Sequence, residues 1–287
     1  DLARADGPDA AFALGQHWLP GHAGAASHGL TQAGNVGEAL TMLVQWQGQL
    51  CPLLAPRLVL GPDEAVLYWS DACGAPAQRN FLVDLHMSAV VALCQWLGGQ
   101  RLPWQFCFNR PAPKDMARHE VYLGPRLRWS CQLDAMLLPR ACLDTPWPRG
   151  HADAAAATQA VLLGDAAALA SRRSVLVVLY DHLRDQIQAQ LAPGLEGTAA
   201  AFGLSPASLK RLLARHGTHF QAELDQVRAH VALHLLHHEQ CGNEQLAQYL
   251  GFHDATSFRR SFRRWTGCTP SFMRAHLLAL RQGWIGR

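Results

Sequence analysis

Four arginines near the end of the chain are spaced so that one helix would present them together. They form the pattern Arg259-Arg260-x-x-Arg263-Arg264, and Thr256 precedes Arg260 by about one helical turn. An α-helix fits the major groove of DNA, where arginine donates to guanine and threonine bonds a base or touches a thymine methyl. The last two arginines of the pattern and Arg274 are better spaced for phosphates. The pattern therefore predicts DNA recognition.

The helix that carries these arginines belongs to the second copy of an internal repeat. In each copy a glycine precedes a Ser or Asp suited to capping a helix, and that helix has large apolar residues four positions apart. The apolar pairs and the basic residue within each are Leu209 and Leu213 with Arg211, and Phe258 and Phe262 with Arg260. The repeat predicts two helix-turn-helix (HTH) motifs. It disfavours the alternative, a helical interaction domain whose arginines are only solvated.

The two copies differ at their closing turns. Four positions separate Leu213 from Gly217, whereas five separate Phe262 from Gly267. The first copy also has fewer side chains that read bases. We therefore expect the first HTH to contribute more affinity than specificity.

Charge is distributed unevenly along the 287 residues. Residues 195–287 hold 11 Lys or Arg and 6 Asp or Glu, while residues 1–194 hold 14 and 16. A basic end on a slightly acidic body favours a nucleic-acid module joined to a part that does not touch DNA.

The repeat also carries a family resemblance. Asn243–Arg274 resembles the signature of AraC/XylS-type transcriptional regulators, through Leu250-Gly251-Phe252, Phe258-x-Arg260-x-Phe262 and Gly267-x-Thr269-Pro270. The similarity extends back to about Gly197. It implies that a linker helix, Phe220–Glu239, joins two HTH motifs whose recognition helices enter successive major-groove segments on one face of DNA.

The side-chain chemistry of the two helices and the family resemblance together predict which residues contact DNA. In the first motif they are Ser205, Ala207, Ser208, Lys210, Arg211 and Arg215. In the second they are Ala255, Thr256, Ser257, Arg259, Arg260, Arg263 and Arg264. Because Ala207 and Ala255 are short, we expect any base contact there to be apolar.

The preceding part of the chain mixes strand and helix patterns, and Pro193-Gly194 marks a boundary. We therefore predict an α+β sensor domain over residues 1–192 and an all-α DNA-binding domain, with two HTH motifs joined by a linker helix, over residues 193–287. The predicted helices are a short one followed by a loop within 1–34, then about 36–50, 80–97, 152–170 and 172–191. The predicted strands are 57–60, 65–69, 104–108, the stretch around Val121, and 126–130, with a short apolar segment at 135–138.

The sensor part resembles, more weakly, the arabinose-binding-like effector domain of ornithine- and amino-acid-responsive regulators. The likeness lies in Gly124–Trp129, Leu137–Pro139 and Leu143–Pro148. It implies a small-molecule sensor that also mediates dimer contacts. An aromatic wall with an arginine would suit an amino-acid-like or other small acid. The candidate residues are Tyr68, Trp69, His86, Trp104, Arg126, Arg128 and Trp129. The alternative is that the aromatics and His86 are ordinary core residues.

Nothing in the sequence predicts an enzyme, a cofactor or a metal. The eight cysteines include no Cys-x-x-Cys pair, which is typical of reduced cytosolic thiols. His230, His234, His237 and His238 share helical spacings, but they lie on the linker helix, where exposed polar residues are expected. A DNA-repair protein with a methyl-accepting cysteine is an alternative that lacks support, since Cys131 has little of the flanking basic context that activates a thiol.

The sequence therefore predicts a transcriptional regulator that responds to a small effector, and activation is expected rather than repression. Its expected partners are double-stranded promoter DNA, the effector and RNA polymerase, and a homodimer is left open. The chain shows no secretory signal and no uncharged apolar run of 18 residues, so we expect a cytoplasmic protein without membrane contact. The alternative is a ligand-independent regulator controlled by a protein partner or by its own abundance.

Overall fold

The computed structural model describes residues 7, 9–20, 23–151, 173–238 and 241–285. The chain divides into an N-terminal lobe, Asp1–Val177, and a C-terminal lobe, Val178–Arg287. The described part of the first contains both strands and helices, and that of the second is helical. This confirms the expected α+β domain followed by an all-α domain, while the boundary at residues 192 and 193 stays a prediction.

Among the described residues, four helices precede the sheet: α1 (Ala10–Trp18), α2 (Ala25–Leu30), α3 (Val36–Gln45) and α4 (Gln47–Leu50). The sequence predicted a short helix and a loop over 1–34, and this prediction missed α2. Helix α2 is only six residues long, but its Ala26 and Leu30 are completely buried. The predicted helix over 36–50 is interrupted at Trp46, whose backbone (φ −103°, ψ 24°) leaves the helical region. The indole of Trp46 is fully buried there.

A mixed sheet of five strands forms the centre of the N-terminal lobe. The strands are β1 (Leu54–Leu60), β2 (Glu64–Asp71), β3 (Gln105–Cys107), β4 (Leu127–Arg128) and β5 (Ala135–Pro139), in the order β1-β2-β5-β3-β4. The predicted hairpin is confirmed as the antiparallel pair β1 and β2. β3 pairs with β4 in parallel and with β5 in antiparallel orientation.

The long helix α5 (Arg79–Gly98) confirms the apolar helix expected at 80–97. Helix α1 crosses it closely because Gly15 has no side chain: a Cβ atom there would lie 1.9 Å from Ser88 Oγ. Among the described residues, α5 with the turn before it is the one helix whose length and hydropathy would suit a membrane span. Most of this segment is buried within the lobe, which is the ordinary property of a core helix.

The strand predicted around Val121 is wrong, because the segment folds as helix α6 (Ala117–Leu123). His119 and Leu123, four positions apart, form its buried side. Val121 points away from them and is 66% exposed, so its β-branched side chain has no place in a sheet. The spacing of the buried pair was the signal that favoured a helix.

The two faces of the sheet differ in chemistry. One face carries Leu67, Trp69, Phe106 and other apolar side chains into the main core. Residues paired across antiparallel strands share a face, so the register places Arg57 beside Tyr68, and Glu64 and Ser70 on that same face. This second face, called the polar face below, combines these polar groups with apolar residues such as Val66 and Leu137, and the polar side chains named here are almost fully buried.

Two helices were expected between the sheet and the HTH repeat. The first, at 152–170, lies outside the described residues. The second, predicted at 172–191, is α7 (Val175–Gln188).

The described residues of the C-terminal lobe form six further helices, in the order that the repeat predicts. They are α8 (Leu195–Ala201), α9 (Pro206–Arg215), α10 (Phe220–His238), α11 (Asn243–Tyr249), α12 (Ala255–Thr266) and α13 (Pro270–Ile285). Helices α8 and α9 form the first HTH, α10 is the linker helix, and α11 and α12 form the second HTH.

Candidate nucleic-acid interface

Both HTH motifs turn at a glycine in the left-handed region, Gly203 with φ +64° and Gly251 with φ +72°. After each glycine, an amide donates back to an alanine carbonyl five residues earlier: Leu204 N to Ala199 O and Phe252 N to Ala247 O, each 2.8 Å. These alanines are nearly or fully buried, so a small residue stands where each pair of helices meets. The sequence repeat is therefore also a repeat of backbone hydrogen bonds.

Each recognition helix, α9 and α12, begins at a capping side chain. Ser205 Oγ accepts from Ser208 N at 3.1 Å, and Asp254 Oδ1 accepts from Ser257 N at 2.7 Å. The bond from Ser257 N, helped by other donors in the same turn, lowers the pKa of Asp254. The second helix therefore has a charged cap, and the first has a neutral one.

The buried side of each recognition helix is the apolar pair predicted from the sequence. Leu209, Leu213, Phe258 and Phe262 are all completely buried. Because successive residues turn by about 100° around a helix, the position two beyond the first member of each pair points away from the core. Arg211 and Arg260 occupy that position.

The outward side of α12 is almost entirely polar. Its exposed residues are Thr256, Ser257, Arg259, Arg260, Arg263 and Arg264, and Ala255 is half-buried. Within the described part of the chain, Arg260 and Arg263 have no hydrogen-bond or ion-pair partner, whereas Arg259 Nη2 donates to Thr256 Oγ1 at 3.2 Å. Two guanidinium groups are thus available to a ligand without breaking an internal bond.

The outward side of α9 carries shorter side chains than that of α12. Its exposed residues are Ala207, Lys210, Arg211, Ala214 and Arg215, and Ser208 is half-buried. Arg211 Nη2 donates to Ser208 Oγ at 3.2 Å. When the apolar pairs are aligned, Ala207 and Ala214 stand where the second motif has Thr256 and Arg263.

The linker helix α10 contacts the second motif through charged side chains. The guanidinium of Arg228 lies 4.8 Å from the ring centre of Phe252, and burial lowers the pKa of Arg228 while Asp225 opposes that shift. Asp225 Oδ2 accepts from Arg264 Nη2 at 2.8 Å. Arg264 is nevertheless 61% exposed, so it remains at the surface while it is bound to Asp225.

Arg274 lies in a different setting from the phosphate position suggested by its spacing. It is half-buried, and its Nη2 donates to Cys241 O at 2.8 Å and to Asn243 Oδ1 at 2.7 Å. These bonds fasten α13 to the start of α11. Sequence reasoning missed them because the partners lie more than 30 residues away.

Sequence reasoning also missed a second difference between the two motifs. The capping residue follows the turn glycine by two positions in the first motif (Gly203 to Ser205) and by three in the second (Gly251 to Asp254). The first motif is therefore shorter by one residue at the central turn as well as at the closing turn. An alignment of the capping residues would have revealed it.

Known protein families match both lobes. A family described as "Helix-turn-helix domain" matches residues 198–276. A family described as "Arabinose-binding domain of AraC transcription regulator, N-term" matches residues 2–147, about half of the chain.

Similarity to individual proteins extends along most of the chain. The chain is 31% identical to an uncharacterized HTH-type transcriptional regulator of Mycobacterium tuberculosis, over 90% of this chain and 76% of that protein. The chain belongs to the AraC family of transcriptional regulators. It is also 27% identical to an ornithine utilization regulator of Pseudomonas aeruginosa, over 92% of this chain and 78% of that one. Among solved structures, the transcriptional regulator CdpR of Pseudomonas aeruginosa aligns at 23% identity with a TM-score of 0.46, over 96% of this chain and 89% of that chain.

The seven sequence candidates for the effector site of this AraC-family protein do not lie together. Trp69, Trp104 and His86 are enclosed in the main core region of the N-terminal lobe. His86 Nδ1 lies 2.7 Å from Leu82 O, and burial lowers the pKa of His86 to about 4. His86 is therefore neutral at physiological pH.

The remaining candidates divide between the surface and the sheet. Arg126 is exposed and donates to Pro103 O at 3.4 Å. Trp129 stacks on Phe108, with ring centres 4.3 Å apart. Tyr68 and Arg128 belong to the polar second face of the sheet, as the strand register shows.

A cavity of about 230 Å³ lies at the end of α5. It is lined by Gly98, Gln100, Arg101, Leu102, Pro103, Cys142, Thr145, Pro146 and Trp147, and so by none of the seven candidates. Its volume is below the range of about 300–1,000 Å³ that is usual for ligand pockets.

Proposed function

We propose that this AraC-family protein activates transcription at promoters to which both recognition helices bind, under the control of a small effector held by the N-terminal lobe. The observation that carries the DNA part is the repeated geometry of α9 and α12. In both helices an arginine, Arg211 or Arg260, points directly away from a completely buried apolar pair. A helix that is anchored on one side and basic on the other suits the major groove.

The side chains of α12 divide between base and backbone contacts. Arg260 is central on the exposed side and reads a base, with Thr256, Ser257 and Ala255 near the N-terminus of the helix beside it. Arg259, Arg263 and Arg264 lie toward the edges of that side and bind phosphates. In α9, Arg211 contacts a base or the backbone, while Lys210, Arg215, Ser205 and Ser208 bind the backbone and Ala207 makes an apolar contact.

The second face of the sheet supports the effector part of the proposal. Arg57 and Glu64 are almost fully buried there, and Arg57 Nε donates to Ser70 Oγ at 3.0 Å. Gln105 shares this face, and its Nε2 is buried without a hydrogen-bond partner in the described part of the chain. Burying an amide group without a hydrogen-bond partner is costly, so Gln105 Nε2 is suited to contact a ligand. We therefore assign the effector to this face, with Tyr68 and Arg128 beside it.

The polar face suits a ligand with both positive and negative groups, because it carries both an acidic and a basic side chain. The name of the ornithine utilization regulator points to the same class. We therefore propose an amino-acid-like effector. The same proposal places the protein in the cytoplasm, with RNA polymerase as its partner at the promoter and a second copy of the chain as a further candidate partner.

The DNA part is tested by selecting binding sites from random DNA with the full-length protein. A selected site should give an unequal pattern of protection, with stronger base preference under α12 than under α9. Recovery of no consensus at moderate salt would contradict sequence-specific binding.

The effector part is tested separately by a thermal-shift screen with amino acids, sugars and fatty acids. Stabilisation by amino acids, lost in Gln105→Leu and kept in the exposed control Gln100→Leu, supports the assigned face. Activation by the hit is then measured by transcription from the selected promoter. Absence of any stabilising compound would favour a regulator controlled by a protein partner or by its own abundance.

A further inference from the structure

We propose that Cys107 and Cys131 form a redox-active pair that a peroxide converts to a disulfide. All eight cysteines of the chain are free thiols in the structure. This pair lies in the N-terminal lobe, at the edge of the polar sheet face, whereas the recognition helices belong to the C-terminal lobe. It is a modification site that DNA binding does not require.

The fold brings the two thiols together although 23 residues separate them in sequence. Cys107 ends β3 and is paired with Arg128 of β4. Ser130 then adopts φ +57°, which reverses the chain. The amide of Cys131 consequently donates to Phe108 O at 2.9 Å, so that Cys131 returns to the end of β3.

In this position the side chains of Cys107 and Cys131 interact, and the Sγ atom of Cys131 also lies 3.8 Å from Arg128 O. The neighbouring Cys107 thiol favours a thiolate on Cys131 and lowers its pKa, and a Phe108 backbone bond and the charge of Arg128 act in the same direction, against burial. The same interaction, together with burial, raises the pKa of Cys107. Cys131 is half-buried and Cys107 is buried, so a small oxidant in solvent reaches Cys131 first.

Other thiols of the chain lie in settings that suppress reaction. Burial raises the pKa of Cys51 and Cys94, in the latter case to about 12. Burial also raises the pKa of Cys73 and Cys142, which are more accessible. Reaction at Cys131 is therefore favoured over reaction at these four residues.

The oxidation proceeds in two balanced steps. The Cys131 thiolate attacks one oxygen of hydrogen peroxide, so an S–O bond forms, the O–O bond breaks and hydroxide leaves, giving a sulfenic acid. Cys107 then attacks that sulfur, an S–S bond forms, the S–O bond breaks, and water leaves with the thiol proton. A dithiol reductant reverses the change by supplying two electrons and two protons.

The disulfide would close a loop that contains α6 and the aromatic contact of Phe108 with Trp129. Cys107 also shares the sheet face with Gln105, because both pair with residues of β5 that lie two apart. Oxidation would therefore alter the face that we assign to the effector. This consequence depends on the proposed effector site, whereas formation of the disulfide does not.

The disulfide is tested on the full-length protein, first reduced and then exposed to one equivalent of hydrogen peroxide. Free thiols are alkylated, and the digest is analysed by mass spectrometry. The expected result is a peptide pair linked through Cys107 and Cys131 that disappears after dithiothreitol. Absence of that pair from the folded protein, or oxidation of Cys73 and Cys142 at the same rate as Cys131, would overturn the proposal.

Matched variants separate the role of Cys131, which attacks the peroxide, from the role of Cys107, which then forms the disulfide. These tests do not depend on DNA binding. In Cys107→Ser, dimedone should label a sulfenic acid at Cys131, and no crosslink should form. In Cys131→Ser, neither label nor crosslink should appear at this site. Cys142→Ser, which removes a half-buried thiol elsewhere in the lobe, should crosslink as the natural chain does. Labelling of Cys107→Ser at all cysteines alike would contradict the assigned order.

Discussion

The two HTH motifs share a backbone plan but present different surfaces. Both have a buried alanine, a turn glycine, a capping side chain and a pair of completely buried apolar residues. The first cap is the hydroxyl of Ser205, and the second is the carboxylate of Asp254. The comparison teaches that the scaffold of an HTH can stay constant while its exposed side changes from sparsely to densely basic.

The largest expected difference concerns the buried pairs. Phe258→Ala should destabilise the second motif by about 3–5 kcal/mol, and Leu209→Ala the first by about 2–5 kcal/mol, since each removes a completely buried side chain and leaves a cavity. Native-state hydrogen exchange of the amides in α9 and α12 measures each motif separately. Equal loss of protection in both motifs from either change would mean that they unfold as one unit.

A smaller effect is expected on DNA affinity. Arg260→Ala should weaken binding to the selected site by about 1–3 kcal/mol and relax preference at one base, because Arg260 points outward and has no partner among the residues that the structure describes. Arg211→Ala should weaken all sequences more evenly. Fluorescence anisotropy with single-base variants of the site provides the measurement.

Gln248→Ala is the matched control, because Gln248 is exposed on α11 of the same motif. It should leave the affinity unchanged. The assignment of α12 as the main reader of sequence fails if Arg211→Ala changes base preference more than Arg260→Ala does.

The capping residues should differ in their response to acid. The pKa of Asp254 is lowered in the folded protein, so its contribution to stability is complete above the unfolded value of about 3.9 and is lost as pH falls through the lowered folded value. Ser205 does not titrate. NMR of the Ser257 and Ser208 amides should show a titration only at Ser257, and Asp254→Asn should abolish it. A matching shift at Ser208 would indicate general acid unfolding instead.

The smallest effect concerns Arg264 and its partner on the linker helix. Exposed ion pairs contribute only about 0–1 kcal/mol, so Arg264 can exchange Asp225 for a phosphate at little cost. Arg264→Ala should weaken binding to all sequences alike and reduce the salt dependence by about one phosphate contact. Binding titrations across a range of salt concentrations measure this slope. An unchanged slope would show that Arg264 remains with Asp225 in the complex.

Local patterns predicted the parts of the fold that depend on neighbours in sequence. The spacing of Phe258 and Phe262 identified a helix and its buried side, and two apolar runs joined by Gly61-Pro62-Asp63-Glu64 identified the β1 and β2 hairpin. Such features follow from periodicity and turn chemistry. The same patterns failed at Val121, where a β-branched residue on the exposed side of a short helix imitated a strand.

Contacts between distant residues could not be predicted in this way. The ion pair of Arg264 with Asp225 spans 39 positions, and the burial of Arg57 depends on a register that only the folded sheet defines. The effector candidates illustrate the limit most clearly. Trp69 was predicted from its aromatic side chain. The strand register, which composition does not reveal, places Trp69 in the core and Tyr68 on the opposite face of the sheet.

Ala207 has a consequence for altering the promoter preference of this protein. It is exposed on α9, one helical turn before Arg211, and it stands where the second motif has Thr256. The buried pair beneath it does not depend on its side chain. Replacing Ala207 by threonine, asparagine or arginine would therefore add a base-reading group with little effect on folding. This position is a natural starting point for engineering a regulator with a new target sequence.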